Sequence, residues 1–248
     1  MSATSIIQSV QTLQSNILQH VHHRALLQNV GQPTLQEEQL FFIQLPFLNG
    51  AAMTDDHKVS AITVGIVHAS LLEHERVLEV DATSKEQQLI VLSGDYYSGR
   101  YYQLLAQSGN IRLIQKLSKG IVDRCEHQIR IYETVTRSVE QWVHSLTVIE
   151  SALISQYYDV YGYNAFTELM ENTLTFIRLK KEYGLIQDAK RGFLYKALAL
   201  ADNPAVLHST MERLHEQLIS RKQRVLEVVK QSPIHDDLKH SIEQYITL

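Results

Sequence analysis

Glycine and proline are scarce in this sequence, and cysteine is nearly absent. Its 248 residues include only 10 Gly, 4 Pro and 1 Cys. A chain of many short strands needs tight turns that use glycine and proline, so their scarcity favours long helices. The single Cys125 cannot form an intrachain disulfide, and the first residues are polar and amphipathic, unlike a secretory signal. We therefore expect a cytoplasmic protein.

Neither charge sign dominates, and no long apolar run occurs. The net charge of −4 excludes the strongly basic surface that is typical of nucleic-acid-binding proteins. The most apolar stretch, residues 61–72, is interrupted by Thr63, His68 and Ser70. A membrane-spanning helix needs about 20 consecutive apolar residues, so we expect no transmembrane segment. Peripheral contact with a membrane surface remains compatible with this composition.

Apolar residues recur at helical spacing along most of the chain. The pattern predicts one helix from about His57 to Val80, preceded by the capping sequence Thr54-Asp55-Asp56, and another helix from near Ser84. A third pattern begins at Ile111 and continues at similar spacing as far as Leu146. Three further helices are predicted at 166–183, 188–200 and 205–229.

No internal repeat and no low-complexity linker divides these helical segments. We therefore expect an all-α fold, a helical bundle that forms a single domain over residues 1–248. Its core would lie at about 57–146, and the C-terminal helices at about 166–248.

Two stretches of the predicted core carry polar residues in unusual patterns. The first, residues 66–79, reads I-V-H-A-S-L-L-E-H-E-R-V-L-E and places Glu75 and Glu79 at i, i+4 spacing. The second, residues 91–102, reads V-L-S-G-D-Y-Y-S-G-R-Y-Y. Gly94 and Gly99 each cost about 1 kcal/mol relative to alanine in a helix, so close packing or a ligand should explain them.

Both stretches resemble the all-trans prenyl diphosphate synthases. In catalytic members the first helix reads approximately H-x-A-S-L-x-H-D-D-x-x-D, and the next carries V-L-x-G-D-Y-L. The string D-Y-Y-S-G-R-Y-Y is characteristic of the small subunits of two-component long-chain synthases, the family of heptaprenyl diphosphate synthase component 1. The resemblance implies a truncated isoprenoid synthase fold.

The resemblance also implies that this chain has lost the catalytic metal site. In catalytic members the acidic residues bind Mg²⁺, which holds the allylic diphosphate. The three acidic positions are here Glu75, Arg76 and Glu79, and a cation between two carboxylates repels a divalent ion. A second aspartate-rich motif is missing from residues 147–248. We therefore assign no catalytic residue and no metal ligand to this chain, and expect Mg²⁺ on a catalytic partner.

Nine residues of these two helices are candidates for a partner interface or a prenyl channel. They are His68, Leu72, His74, Asp95, Tyr96, Tyr97, Arg100, Tyr101 and Tyr102. The two histidines are equally compatible with packing, and the tyrosines with a simple core. The arginine could bind a diphosphate or a partner carboxylate.

The resemblance implies a heterodimer with a catalytic large subunit. That enzyme makes all-trans heptaprenyl diphosphate from farnesyl and isopentenyl diphosphates for the menaquinone side chain. Two alternatives stay open. One is a helical homodimer that binds prenyl chains or acts as a scaffold. The other is an independently active prenyltransferase in which Glu75, Glu79 and Asp95 bind Mg²⁺.

Overall fold

The computed structural model describes residues 3–78, 83–198 and 204–247, and every α-helix and 3-10 helix named here lies in that part of the chain. It confirms the predicted all-α fold, since the described residues include no strand. No described helix has the length and apolar character needed to cross a bilayer. The α-helices are α1 (Ala3–His20), α2 (Arg24–Val30), α3 (Glu37–Leu48), α4 (Asp55–Glu75), α5 (Lys85–Ser108), α6 (Ile111–Ile129), α7 (Val139–Tyr161), α8 (Thr167–Gln187), α9 (Phe193–Ala197), α10 (Pro204–Gln231) and α11 (Asp236–Tyr245).

The chain divides into two compact units, Met1–Leu117 and Ser118–Leu248. Helices α1 to α5 belong to the first unit, and α7 to α11 belong to the second. Helix α6 begins in the first unit and ends in the second.

The first unit is built around two helices that are buried on nearly all sides. In α3, residues 39–46 are all buried, and in α4 the same holds for residues 60–70. A helix that is apolar all round belongs inside a protein, so α1, α3 and α5 pack against α4. Helix α4 begins as predicted, because Thr54 Oγ1 accepts the backbone N–H of His57 in a capping box.

Helix α4 ends earlier than its apolar pattern predicts. It stops at Glu75, whereas the sequence predicts a helix as far as Val80. The backbone leaves the helix because the N–H of Leu78 donates to Oε1 of Gln87 on α5, at 2.7 Å. The side chain of Gln87 accepts an N–H that a carbonyl of α4 would accept if the helix continued. A residue of α5 therefore ends α4.

A second boundary also differs from the prediction. The apolar pattern from Ile111 to Leu146 does not form one continuous helix. Helix α6 ends at Ile129, and a 3-10 helix follows at Arg130–Tyr132. Helix α7 then starts at its own capping box, in which Ser138 accepts the N–H of Gln141. Local capping therefore outweighed the spacing of apolar residues.

The second unit is centred on α8, against which α7 and α10 pack along their lengths. Helices α9 and α11 also contact α8. The predicted helix at 188–200 is reduced to the five residues of α9. Ala189 adopts a positive φ of 54°, a conformation that ends a helix, and Gly192 precedes α9 in an extended conformation.

Candidate functional site

The predicted site residues lie on α4 and α5, which pack closely at Gly94. A Cβ atom added to this glycine would lie 2.6 Å from Nε2 of His74. Ser70 Oγ donates to the carbonyl oxygen of Gly94 at 2.9 Å and lies 2.8 Å from Oγ of Ser98. The prediction that close packing explains Gly94 is confirmed, because a larger residue would collide with the imidazole ring.

The acidic motif at the end of α4 is reorganised around Arg76. This residue follows the last helical residue, Glu75, and its Nη1 donates to Oε2 of Glu73 at 2.7 Å. Its Nη2 donates to the backbone carbonyl of Val30, the last residue of α2, at 3.1 Å. Glu79 lies outside the described residues. The i, i+4 arrangement of Glu75 and Glu79 therefore stays a prediction, although α4 itself ends at Glu75.

The carboxylate that organises this end of α4 is Glu73, which the sequence analysis missed. Its side chain is only 1% exposed, and Oγ of Ser93 on α5 lies 3.1 Å from Oε2. Its other oxygen, Oε1, is buried and has no hydrogen-bond partner among the residues that the structure describes. The i, i+3 spacing of Glu73 and Arg76 is the signal that could have predicted this pair.

Two tyrosines extend the polar cluster toward α2. Tyr97 is buried, and burial together with the nearby charge of Glu73 raises the pKa of its hydroxyl to about 12. It therefore stays protonated at neutral pH. The ring of Tyr96 packs edge-on against Tyr97, with centroids 6.0 Å apart, and against His23, at 5.3 Å.

Arg100 binds groups of its own chain. Its Nε donates to the carbonyl oxygen of His20, the last residue of α1, at 2.9 Å, and its Nη1 donates to Oε1 of Gln103 at 2.6 Å. Arginines therefore contact the C-terminal carbonyls of both α1 and α2, where the helix dipole favours a positive charge.

The remaining candidates divide between the interior and the surface. His68 is buried and Leu72 is half-buried. Burial raises the pKa of the Tyr101 hydroxyl, whereas Tyr102 is 57% exposed. On the surface of α5, Asp95 lies 3.6 Å from Nε2 of His74.

The residues at this end of α4 do not fit a magnesium site. Magnesium needs several oxygen ligands in a near-octahedral arrangement, and a guanidinium already lies against the carboxylate of Glu73. Across residues 3–78, 83–198 and 204–247, no three His, Cys, Asp or Glu side chains are grouped in a way that could hold a metal ion.

The second unit contains a buried arginine, Arg178, that carboxylates neutralise. Arg178 on α8 donates from Nη1 to Oε1 of Glu150 on α7 at 3.1 Å, and from Nε to Oε1 of Glu182 at 3.0 Å. Oε2 of Glu182 accepts the backbone N–H of Leu194 at 3.0 Å. All three charged side chains are buried. The network joins α7, α8 and α9.

The sequence matches the family model described as heptaprenyl diphosphate synthase (HEPPP synthase) subunit 1, over residues 23–232. The chain belongs to this family. The matched region includes the α4–α5 cluster and the network around Arg178.

A curated relative supports the family at the level of sequence. It is heptaprenyl diphosphate synthase component 1 of Geobacillus stearothermophilus, which is 36% identical over 93 residues. The aligned region spans 38% of this chain and 42% of the relative, less than half of either protein.

Solved structures of prenyl synthases share the fold over nearly the whole chain. Heptaprenyl diphosphate synthase from Staphylococcus aureus has a TM-score of 0.74 at 10% identity, and covers 97% of this chain and 98% of that chain. Geranylgeranyl pyrophosphate synthase from Lactobacillus brevis has a TM-score of 0.72 at 14% identity, with 98% and 95% covered. At these identities the likeness shows the fold alone, and it confirms the isoprenoid synthase fold.

Proposed function

We propose that this chain is the non-catalytic subunit of a two-component heptaprenyl diphosphate synthase. The names of its family and of its curated relative, subunit 1 and component 1, support a role within such an enzyme. The observation that carries the non-catalytic role is the guanidinium of Arg76 bonded between Glu73 and the carbonyl of Val30. A cation at this position repels a divalent ion and already occupies the carboxylate of Glu73.

In this proposal the chemistry belongs to a catalytic large subunit. That partner binds Mg²⁺ through its own aspartate-rich motifs and condenses isopentenyl diphosphate onto farnesyl diphosphate. The product is all-trans heptaprenyl diphosphate, for the menaquinone side chain. The heterodimer acts in the cytoplasm and meets the membrane surface, because its product carries a long apolar chain. This chain supplies an interface and an apolar wall for the growing product.

The exposed face of α5 is the surface that we assign to the partner. Leu92, Asp95, Gly99 and Tyr102 follow one another at intervals of three and four residues, so they share one helical face, and all four are exposed. A Cβ atom added to Gly99 would meet nothing within 4 Å. Packing within the chain therefore does not explain this glycine, whereas the close approach of a partner helix does.

Co-expression with a candidate large subunit tests the proposal. The purified chain alone, supplied with farnesyl diphosphate, isopentenyl diphosphate and Mg²⁺, should give no product above a blank without protein. The co-purified complex should give long-chain product under the same conditions. The large subunit assayed alone is the control, and it should be less active than the complex.

Two results would contradict the proposal. Magnesium-dependent turnover by this chain alone would establish the independently active prenyltransferase. A stable homodimer that does not co-purify with the large subunit would favour the prenyl-binding scaffold.

A further inference from the structure

The guanidinium of Arg76 lies among oxygen atoms that come from separate helices. Oε2 of Glu73 on α4 is 2.7 Å from Nη1, and the carbonyl oxygen of Val30 on α2 is 3.1 Å from Nη2. The hydroxyl of Ser93 on α5 lies 3.1 Å from the same carboxylate oxygen. Carboxylate, carbonyl and hydroxyl oxygens are the atoms that divalent cations prefer in proteins. A side-chain cation takes this place here.

Glu73 needs a cation because it is buried. Its side chain is 1% exposed, and within residues 3–78, 83–198 and 204–247 Oε1 has no hydrogen-bond partner. A buried carboxylate without a counter-ion is strongly destabilising, so the fold depends on a positive charge next to Oε2. Arg76 is the only cation that forms a salt bridge to Glu73 in the described part of the chain.

The guanidinium of Arg76 also binds the C-terminal end of α2, a helix that is too short to be stable alone. It has seven residues, of which Leu26 and Val30 are buried, and it packs on α5. Gly31 follows it with a φ of 82°, so the chain turns away directly after the carbonyl that Arg76 binds. Arg100 holds the end of the preceding helix at His20. Loss of the Arg76 contact should therefore release α2.

We propose that Arg76 is an internal counter-ion that takes the role of a bound divalent cation at the junction of α2, α4 and α5. It neutralises the buried Glu73, fixes the C-terminal end of α2 and closes this end of α4 to magnesium. The inference concerns this chain alone and holds whether or not the chain is a synthase subunit.

The test compares four full-length proteins: the native chain, Arg76→Gln, Arg76→Lys and Arg100→Gln. Each is measured by thermal unfolding with MgCl₂ and with NaCl of equal ionic strength, and by hydrogen exchange of residues 24–30. The native chain should show no magnesium-specific change in Tm. Arg76→Gln should have a lower Tm, at least tenfold faster exchange in α2, and a Tm that rises with MgCl₂.

The other two variants separate the neutralisation of Glu73 from the anchoring of α2. Arg76→Lys keeps a cation near Glu73 but loses the bridge between two acceptors, so α2 should exchange faster while Tm stays insensitive to magnesium. Arg100→Gln removes a bond to a backbone carbonyl without exposing a carboxylate. Its Tm should therefore also be insensitive to magnesium.

Several results would overturn the inference. One is a native chain that magnesium stabilises, with the effect abolished by Glu73→Gln. A second is hydrogen exchange of α2 that is unchanged in Arg76→Gln. A third is a Tm of that variant that does not change with MgCl₂. If Arg76→Gln does not fold, the double variant Glu73→Gln/Arg76→Gln tests whether the uncompensated charge of Glu73 is the cause. Recovery of a folded protein supports the counter-ion, and continued failure contradicts it.

Discussion

Two glycines on α5, five residues apart, have opposite surroundings. Gly94 faces the His74 ring, whereas Gly99 faces open space. The two glycines therefore have different physical explanations. Gly94 allows close packing against His74 within the chain, and we assign Gly99 to contact with the partner. Arg76 and Glu73 show the same dependence on surroundings, since neither residue type indicates that the half-buried arginine would be the counter-ion of a buried carboxylate.

Substitution of the two glycines should have opposite effects on stability. Gly94→Val should destabilise the chain by about 1–3 kcal/mol, because the added atoms overlap the His74 ring. Gly99→Ala, the matched control, should stabilise the isolated chain by roughly 0.5–1 kcal/mol, since the helix loses a flexible residue and nothing obstructs the methyl group. Urea unfolding followed by circular dichroism measures both. Equal effects at the two positions would contradict the packing described for α4 and α5.

At the scale of helices, the second unit contains a histidine that must stay neutral. Burial lowers the pKa of His127 on α6 to about 4, with further contributions from Arg130, from His144 on α7 and from Arg137, while Asp123 acts in the opposite direction. Nη1 of Arg130 lies 3.0 Å from Nδ1 of the imidazole, and a donor there requires an unprotonated nitrogen.

This histidine should make the second unit less stable in acid. Because the folded pKa is lower than that of the unfolded chain, the unfolded state binds more protons between about pH 4 and 6.5. The free energy of unfolding should therefore fall as the pH drops through that window. His127→Asn should flatten the dependence, and His208→Asn, at an exposed site on α10, should not. Trp142, the only tryptophan, reports unfolding in this unit. A native chain with no loss of stability in this window would contradict the assignment.

The arginine that joins α7 and α8 should be far more important than an exposed one. Arg178→Met removes the guanidinium that binds the buried carboxylates of Glu150 and Glu182, which should cost about 3–5 kcal/mol. Arg224→Met removes a more exposed arginine that pairs with Glu168, and should cost far less, because solvent screens this pair. Urea unfolding followed by Trp142 fluorescence gives both values, and similar losses would mean that the buried network contributes little.

The whole chain has the fold of prenyl synthases, while Arg76 lies against Glu73 at one end of α4. This combination is physically coherent, because helix packing depends on many apolar residues and metal binding on a few polar ones. The likeness to solved synthases extends over nearly the whole chain at 10% to 14% identity. The heteromer that we propose would give the exposed face of α5 a binding partner.

Binding to the partner should depend on that face. Tyr102→Asp places a charge in the proposed interface and should weaken co-purification with the large subunit at least tenfold, while the Tm of the isolated chain stays nearly unchanged. Tyr132→Asp, at an exposed tyrosine of the second unit, is the matched control and should co-purify normally. Equal retention of the two variants would place the interface elsewhere.

Periodicity and capping were sufficient to predict helices, since both depend on neighbouring residues. The start of α4 at the Thr54 capping box and the close packing at Gly94 are confirmed. The predicted end of α4 at Val80 is wrong, and so is the continuous helix from Ile111 to Leu146. Helix α4 ends where Leu78 binds the side chain of Gln87 on α5. Helix α7 begins at its own cap, Ser138, after α6 has ended.

The sequence by itself determined the helical class and the family, because both depend on residues that are close together along the chain. It also indicated that the acidic motif was degenerate. Only the tertiary structure decided what Arg76 binds, since the carbonyl of Val30 is 46 residues away and comes close only when α2 packs on α5. The burial that makes Glu73 depend on that cation is likewise a property of the packed helices, and local sequence does not encode it.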